Sequence, residues 1–521
     1  MKVLWIRFFT CLLAAGLYSL SLVTLVTAQT ASPLPLTITT VNGTLQGTTT
    51  KNGLNVYRGI PYAAAPTGAN RWREPQPVAA WSGLRDATRF APRCIQGGFA
   101  PGADQPLTSE DCLYLNVWSP APNADALLPV IVWIHGGGFF TGAGSADIYD
   151  GANLASKGAV VITINYRLGT FGFFAHPELT AESEHHSSGN YAMLDMVSAL
   201  EWVYENVAAF GGDPINVTIV GESAGAQAVA TLLASPTSAG LFHHAIMQSG
   251  GWMGLSMGKL PTLAETEALG AQQAASFGAR SLSELRAASA QEIFENFPGG
   301  GSVSVDGYVL PEDPSLIYSA NRHHTVDVLV GSNANEAVFF GPGLQTTEAV
   351  TDYASSKFGA LGAQFLQLYP AGSDAQANQS YLQAYSNELA WQMRALALTQ
   401  GQRGMGAWVY YFSHVPPGQE ARGATHVAEL AYMFNQHDQN QAWTAGDRTL
   451  SDTMAQYWVN FAARSNPNGQ GLPQWPAYRS HEAGNVMVFG DSAAAETQQI
   501  PSAAALDFFG RAWQQHVETL K

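Results

Sequence analysis

Val217-Thr218-Ile219-Val220, Gly221-Glu222-Ser223-Ala224-Gly225 and the helix-compatible run Ala226 to Leu233 follow one another without a break. A β-branched run reads as a buried strand, and a pentapeptide with glycines two residues to either side of a serine lets the backbone turn sharply into a helix. Such a turn holds the serine in a sterically crowded position at the strand's end, where a nucleophile is needed. Because the chain carries 52 glycines, the pentapeptide gains its weight from its place between strand and helix.

Outward from this point, similar runs recur at Val130 to Ile134, Val160 to Ile164, Ala245 to Met247, Val326 to Val330 and Trp408 to Phe412. Between them lie helical patterns, notably Met193, Val197, Leu200 and Val203 at spacings of three and four. Alternating strand and helix predicts an α/β fold, a large, mostly parallel sheet with helices on both faces. With no fixed-period repeat and no long low-complexity linker, residues 29–521 read as one domain with inserted loops and helices.

A serine hydroxyl needs a base to take its proton and an acid to hold that base. In this arrangement the order along the chain is Ser, acid, His. Glu336 follows the strand Val326 to Val330 in a loop, where an orienting acid belongs. Two histidines follow Trp408 to Phe412, His414 and His426, and spacing alone does not separate them. An imidazole base titrates near neutrality, so activity should rise with pH there. The run His135-Gly136-Gly137-Gly138-Phe139 follows Val130 to Ile134, and its missing Cβ atoms let backbone N–H groups approach a substrate oxygen. Such donors each stabilise a developing oxyanion by about 3 to 4 kcal/mol.

The net charge of -16, from 40 acidic and 24 basic side chains, with no basic run, argues against nucleic acid as a partner. It favours a neutral or weakly charged small substrate. The His-His pairs beginning at 185, 243 and 323 read as surface or loop residues; neither they nor the cysteines have metal-type spacing, so no metal and no cofactor is expected. Residues 1–28 read as a secretory signal: Lys2 and Arg7, an apolar stretch from Phe8 to Val26, then Val26-Thr27-Ala28. The competing reading is an uncleaved anchor, since the stretch approaches a bilayer span. After signal removal no span is expected, the protein is secreted or periplasmic, and Cys94 and Cys112 remain as an even pair whose bridge would contribute about 3 kcal/mol.

The chain resembles the type-B carboxylesterases, the family of cholinesterases and para-nitrobenzyl-type esterases. The likeness rests on Tyr57-Arg58-Gly59-Ile60-Pro61-Tyr62-Ala63, Ser109-Glu110-Asp111-Cys112-Leu113-Tyr114-Leu115-Asn116 and Phe210-Gly211-Gly212-Asp213-Pro214, and it spans nearly the whole mature chain. It implies an α/β-hydrolase fold, Ser223 as nucleophile, Glu336 as acid, and His426 as base, because the family's histidine pattern matches Gly423 through Phe434. It implies Gly137, Gly138 and Ala224 as oxyanion donors, a Cys94–Cys112 disulfide, and ion pairs of Arg58 with Glu110 and Arg167 with Asp195. The family usually has Asp-Glu-Gly where this chain has Asn335-Glu336-Ala337. Its first disulfide loop, Ile95 to Asp111, lacks tryptophan, which disfavours choline esters. Phe139, Phe140, Trp252, Phe339 and Phe340 stand near the motifs as candidate pocket residues. The expected activity is ester hydrolysis through an acyl-enzyme, with lipase, amidase or a non-catalytic interaction module as alternatives. Secreted bacterial members acting on mycotoxin or xenobiotic esters look similar in places. Neither the physiological ester nor an oligomeric state follows from the sequence.

Overall fold

The β-branched runs assemble into one 11-stranded sheet. The strands, in chain order, are β1 (Thr48–Thr49), β2 (Asn55–Pro61), β3 (Tyr114–Ser119), β4 (Leu128–Ile134), β5 (Val160–Ile164), β6 (Gly212–Glu222), β7 (His244–Gln248), β8 (Asp327–Asn333), β9 (Ala407–Phe412), β10 (Val486–Phe489) and β11 (Ala493–Ala495). Their spatial order is β11-β10-β9-β8-β7-β6-β4-β5-β3-β2-β1. From β5 through β10 neighbours pair in parallel, and antiparallel strands flank that block on both sides. The computed structural model describes residues 34–97, 107–297, 301–439, 441–482, 484–495 and 500–521. The signal-peptide reading of residues 1–28 lies outside the described residues. Residues from Pro33 to Lys521 cluster as one compact unit.

Each predicted run lies within an observed strand or overlaps it by all but one residue, because a strand buried on both faces can be apolar at every position. On β4, Val130, Val132 and Ile134 enter one core while Ile131 and Trp133 enter the other. The first core is covered by α1 (Tyr191–Asn206), α2 (Ala224–Ala234), α3 (Asp374–Gln402) and α5 (Ala503–Leu520). The second is covered by α4 (Ala445–Arg464), through Met454, Tyr457, Trp458 and Phe461. The Met193-Val197-Leu200-Val203 pattern is the inner face of α1.

β4 lies between β5 and β6, so the chain leaves it in one direction and returns on its other side. The connections that follow β4 and β6 therefore lead to strands on opposite sides of this point of the sheet, whose carboxyl edge is the usual place for a ligand crevice in such folds.

The Cys94–Cys112 disulfide forms, with 4.9 Å between Cα atoms. Arg167 and Asp195 pair at 2.7 Å, both buried. The other expected ion pair is corrected: Glu110 binds Arg71, which contacts both carboxylate oxygens at 2.6 Å. Arg71 also donates to the carbonyls of Leu285 and Ala288, so this pair fastens a later segment to the N-terminal region. Arg58 instead stacks over Phe90, 4.8 Å from the ring centre. Two arginines this close in sequence are separated only by the tertiary course of the chain.

Candidate active site

β6 ends at Glu222 and α2 begins at Ala224, leaving Ser223 as the single residue of the turn. Its φ of 57° and ψ of -125° are sparsely populated for a non-glycine residue. The Ser223 N–H donates to the Gln248 carbonyl at 2.9 Å, and the Gln227 N–H donates to the Ser223 carbonyl at 3.0 Å. The flanking glycines are required by close approach. A Cβ on Gly221 would lie 2.3 Å from the Gly225 backbone, and one on Gly225 would lie 2.1 Å from the Ile134 carbonyl oxygen.

The loop after β4 lies against this turn, since a Cβ on Gly136 would sit 3.0 Å from the Ser223 Cβ. Gly137 and Gly138 have φ values of 100° and 62°, and Phe139 follows at 61°. The Gly137 carbonyl accepts from Phe140 and Thr141 at 3.0 and 3.1 Å. Among the described residues the Gly137 and Gly138 N–H groups take no part in the bonds closing this turn. His135 packs beneath the loop, stacked on Tyr166 with ring centres 4.3 Å apart, and burial lowers its pKa to about 4.

Glu336 and His426, 90 residues apart in sequence, meet with Glu336 Oε2 2.6 Å from His426 Nδ1. Both are fully buried, and the second oxygen of Glu336 accepts the Asn333 N–H at 2.6 Å. His414 is elsewhere, 2.7 Å from Asp447.

Two further carboxylates adjoin this pair, and neither was assigned a role from sequence. Glu222 Oε1 lies 3.1 Å from His426 Nε2, although neither atom makes a well-aligned hydrogen bond. Glu429 accepts from Gln248 Nε2 at 2.9 Å and Asn333 Nδ2 at 2.5 Å, with Trp458 supporting Gln248 from behind at 3.0 Å. Glu222 occupies the variable position beside the serine, and a carboxylate ending an apolar strand was a signal available in the sequence. Glu429 lay inside the quoted histidine pattern without a function.

These acids change the electrostatics. Burial alone would lower the pKa of His426, but the carboxylates of Glu222, Glu336 and Glu429 outweigh it and raise the value to about 9. Burial pushes the Glu222 carboxyl well above the ordinary range, with the positive charge of His426 opposing the shift. Titration near neutrality, expected from an isolated imidazole, is thereby moved upward.

Of the candidate pocket residues, Phe339 and Phe340 have ring centres 5.4 and 4.9 Å from that of His426. Both are half-exposed, as is Phe140. Phe139 is buried against Tyr166 and Phe173. Trp252 is buried among Tyr318, Trp391 and Trp513, an ordinary core environment. A cavity of about 650 Å³ borders His426 and Phe339 and is walled also by Ile148, Arg422, Asp438 and Trp443. His323 lies in a connecting segment as expected but is buried, stacked on Tyr318 at 4.4 Å. Among the described residues no group of three or more His, Cys, Asp or Glu side chains is placed to hold a metal ion.

Residues 34–509 match the Carboxylesterase family. Fumonisin B1 esterase of Sphingopyxis macrogoltabida is 37% identical over 495 residues, covering 89% of this chain and 88% of that protein. Para-nitrobenzyl esterase of Bacillus subtilis (strain 168) is 34% identical, covering 87% of this chain and 94% of that one. The solved structure of the Geobacillus stearothermophilus carboxylesterase EST55 at pH 6.2 superposes with a TM-score of 0.78 at 32% identity, covering 92% of this chain and 100% of that one.

Proposed function

The chain belongs to the Carboxylesterase family and is a carboxylic-ester hydrolase, and from that premise we propose that it works through Ser223, His426 and Glu336 by way of an acyl-enzyme. The Ser223 Oγ attacks the ester carbonyl carbon while His426 Nε2 takes its proton. Glu336 fixes the Nδ1–H tautomer and stabilises the imidazolium that forms. Negative charge gathers on the former carbonyl oxygen, where the N–H groups of Gly137, Gly138 and Ala224 receive it. Collapse breaks the ester C–O bond, His426 returns its proton to the departing alcohol, and the acyl group stays on Ser223. A water molecule, deprotonated by the same imidazole, then releases the acid and restores the serine.

The observation that carries this reading is the 2.6 Å Glu336–His426 contact, buried at the same sheet edge as the Ser223 turn. Glu222 Oε1 lies 3.1 Å from Nε2, so the imidazolium that forms and this buried carboxyl stabilise each other's charged forms. The substrate is a small ester with no strong positive charge. Its bulk lies against Phe339 and Phe340 or in the cavity beside His426. The similarity to a fumonisin B1 esterase and a para-nitrobenzyl esterase makes fumonisin B1 and para-nitrobenzyl esters the first candidate substrates. The apolar stretch at Phe8 to Val26 and the disulfide support export through a cleaved signal. Among the described residues no helix is long and apolar enough to cross a membrane.

A fluorophosphonate probe tests the site. We expect stoichiometric labelling of Ser223 with loss of esterase activity. An unlabelled Ser223 in active enzyme overturns the assignment, and an unlabelled, inactive protein supports the non-catalytic module.

A further inference from the structure

Two asparagines just before Glu336 join its loop to the segment leading into His426. Asn333, fully buried at the end of β8, donates Nδ2 to the Thr425 carbonyl at 2.9 Å as well as to Glu429, while its backbone N–H holds Glu336. Asn335 accepts the Ala424 N–H on Oδ1 at 3.0 Å and gives its own N–H to the Ala424 carbonyl at 2.8 Å. The contact is close enough to exclude a side chain at Gly423, whose φ is 79° and whose Cβ would lie 2.2 Å from Asn335 Oδ1. Gly423, Ala424 and Thr425, the three residues before His426, are thus each located by one of these asparagines.

We propose that Asn333 and Asn335 are positioning residues that fix the Glu336–His426 contact, Asn335 doing so as a neutral acceptor where the resembled family usually carries an aspartate. The inference rests on the triad reading given above. The acid and base come from loops distant in sequence, and a hydrogen bond between them survives only if those loops keep their separation to a fraction of an ångström. Ala424 is buried, so its N–H requires an acceptor. An amide carbonyl supplies one without another negative charge in a region already holding three carboxylates. The charged and titratable groups facing His426 are Glu336 at Nδ1, Glu222 at Nε2 and Glu429 beyond, with Arg422, His437, Asp147 and Asp438 around the adjoining cavity.

The test compares Asn335→Ala, Asn335→Asp and wild type, with active sites counted by fluorophosphonate. Asn335→Ala should lower kcat roughly 10- to 100-fold, the scale of a small misplacement of a catalytic group, with KM unchanged. The acidic limb of its pH–rate profile should move to lower pH, because an imidazolium less well held by Glu336 gives up its proton more readily. Asn335→Asp retains the acceptor and should recover most of kcat. The proposal is overturned if Asn335→Ala leaves kcat and the limb unmoved, if only its melting temperature falls, or if Asn335→Asp performs no better than alanine. For the buried Asn333 the alanine variant can fail to fold, so Gly423→Ala provides a second probe. Its kcat loss should shrink in the Asn335→Ala background, where the clashing oxygen is gone, and equal losses in both backgrounds overturn the proposal. Wild-type enzyme that is active but unlabelled at Ser223 would sink the triad reading itself, whereas labelled enzyme indifferent to these variants sinks only the present inference.

Discussion

Two histidines follow the same strand, and each rests against a carboxylate at nearly the same distance, His414 on Asp447 at 2.7 Å and His426 on Glu336 at 2.6 Å. Their surroundings differ. Asp447 closes the capping box at the start of α4, accepting from Thr444, and also accepts from the Tyr432 hydroxyl. Burial would raise the Asp447 carboxyl, but its bonds from Thr444, His414 and Tyr432 hold it below the ordinary range. His414 is thereby part of a helix cap. Glu336 accepts a second bond from the Asn333 N–H, and its imidazole borders a cavity and carries its other nitrogen 3.1 Å from Glu222 Oε1. An imidazole–carboxylate pair becomes useful to chemistry when the imidazole has another nitrogen aimed at something that can change.

The widest separation between the two should come from alanine substitution. Ser223→Ala and His426→Ala should each reduce kcat on the order of a million-fold while the circular dichroism spectrum and melting temperature stay close to wild type, as for other serine hydrolases whose nucleophile or base is removed. His414→Ala should leave kcat within a few-fold of wild type. If His414→Ala were the inactive variant, the assignment of the base would be reversed.

Glu336→Gln should come next, with a kcat loss of about ten-thousand-fold, since an amide favours the wrong tautomer while keeping the shape. Steady-state kinetics on a nitrophenyl ester would measure it, and a loss under ten-fold would show that another group orients the imidazole.

A smaller effect concerns pH. The base must be neutral to accept the serine proton, and His426 has its pKa raised to about 9, so kcat/KM of the wild type should climb from neutral into mildly alkaline pH. Glu222 is the foremost carboxylate holding it up, and Glu222→Gln should move the acidic limb to lower pH. A limb that stays in place would assign the shift to Glu336 and Glu429 instead.

The smallest effect should fall on stability alone. Asp447→Asn weakens the α4 cap and the His414 contact, and urea unfolding should register a loss of about 1 to 2 kcal/mol with kcat unchanged.

Much of this is legible in the sequence. The β-branched runs located the central strands because strands buried on both faces admit apolar residues at every position, and that requirement is written along the chain. Gly221-Glu222-Ser223-Ala224-Gly225 could be read for the same reason: the turn needs two missing Cβ atoms at fixed spacing, and the structure returns both close approaches. The Arg58–Glu110 pair failed because Arg71 reaches the same carboxylate from a turn whose path no local pattern encodes. Trp252 stood near a motif in sequence yet packs into the core. Local order dictated strands, turns and the serine's strained backbone, since those depend on neighbours a few bonds away. The choice between His414 and His426 from residues alone, the crowd of carboxylates that lifts the imidazole's proton affinity, and the asparagines that hold acid to base depended on segments roughly a hundred residues apart being folded against each other. Electrostatic and hydrogen-bonding energies act through space, and only the folded chain fixes those distances.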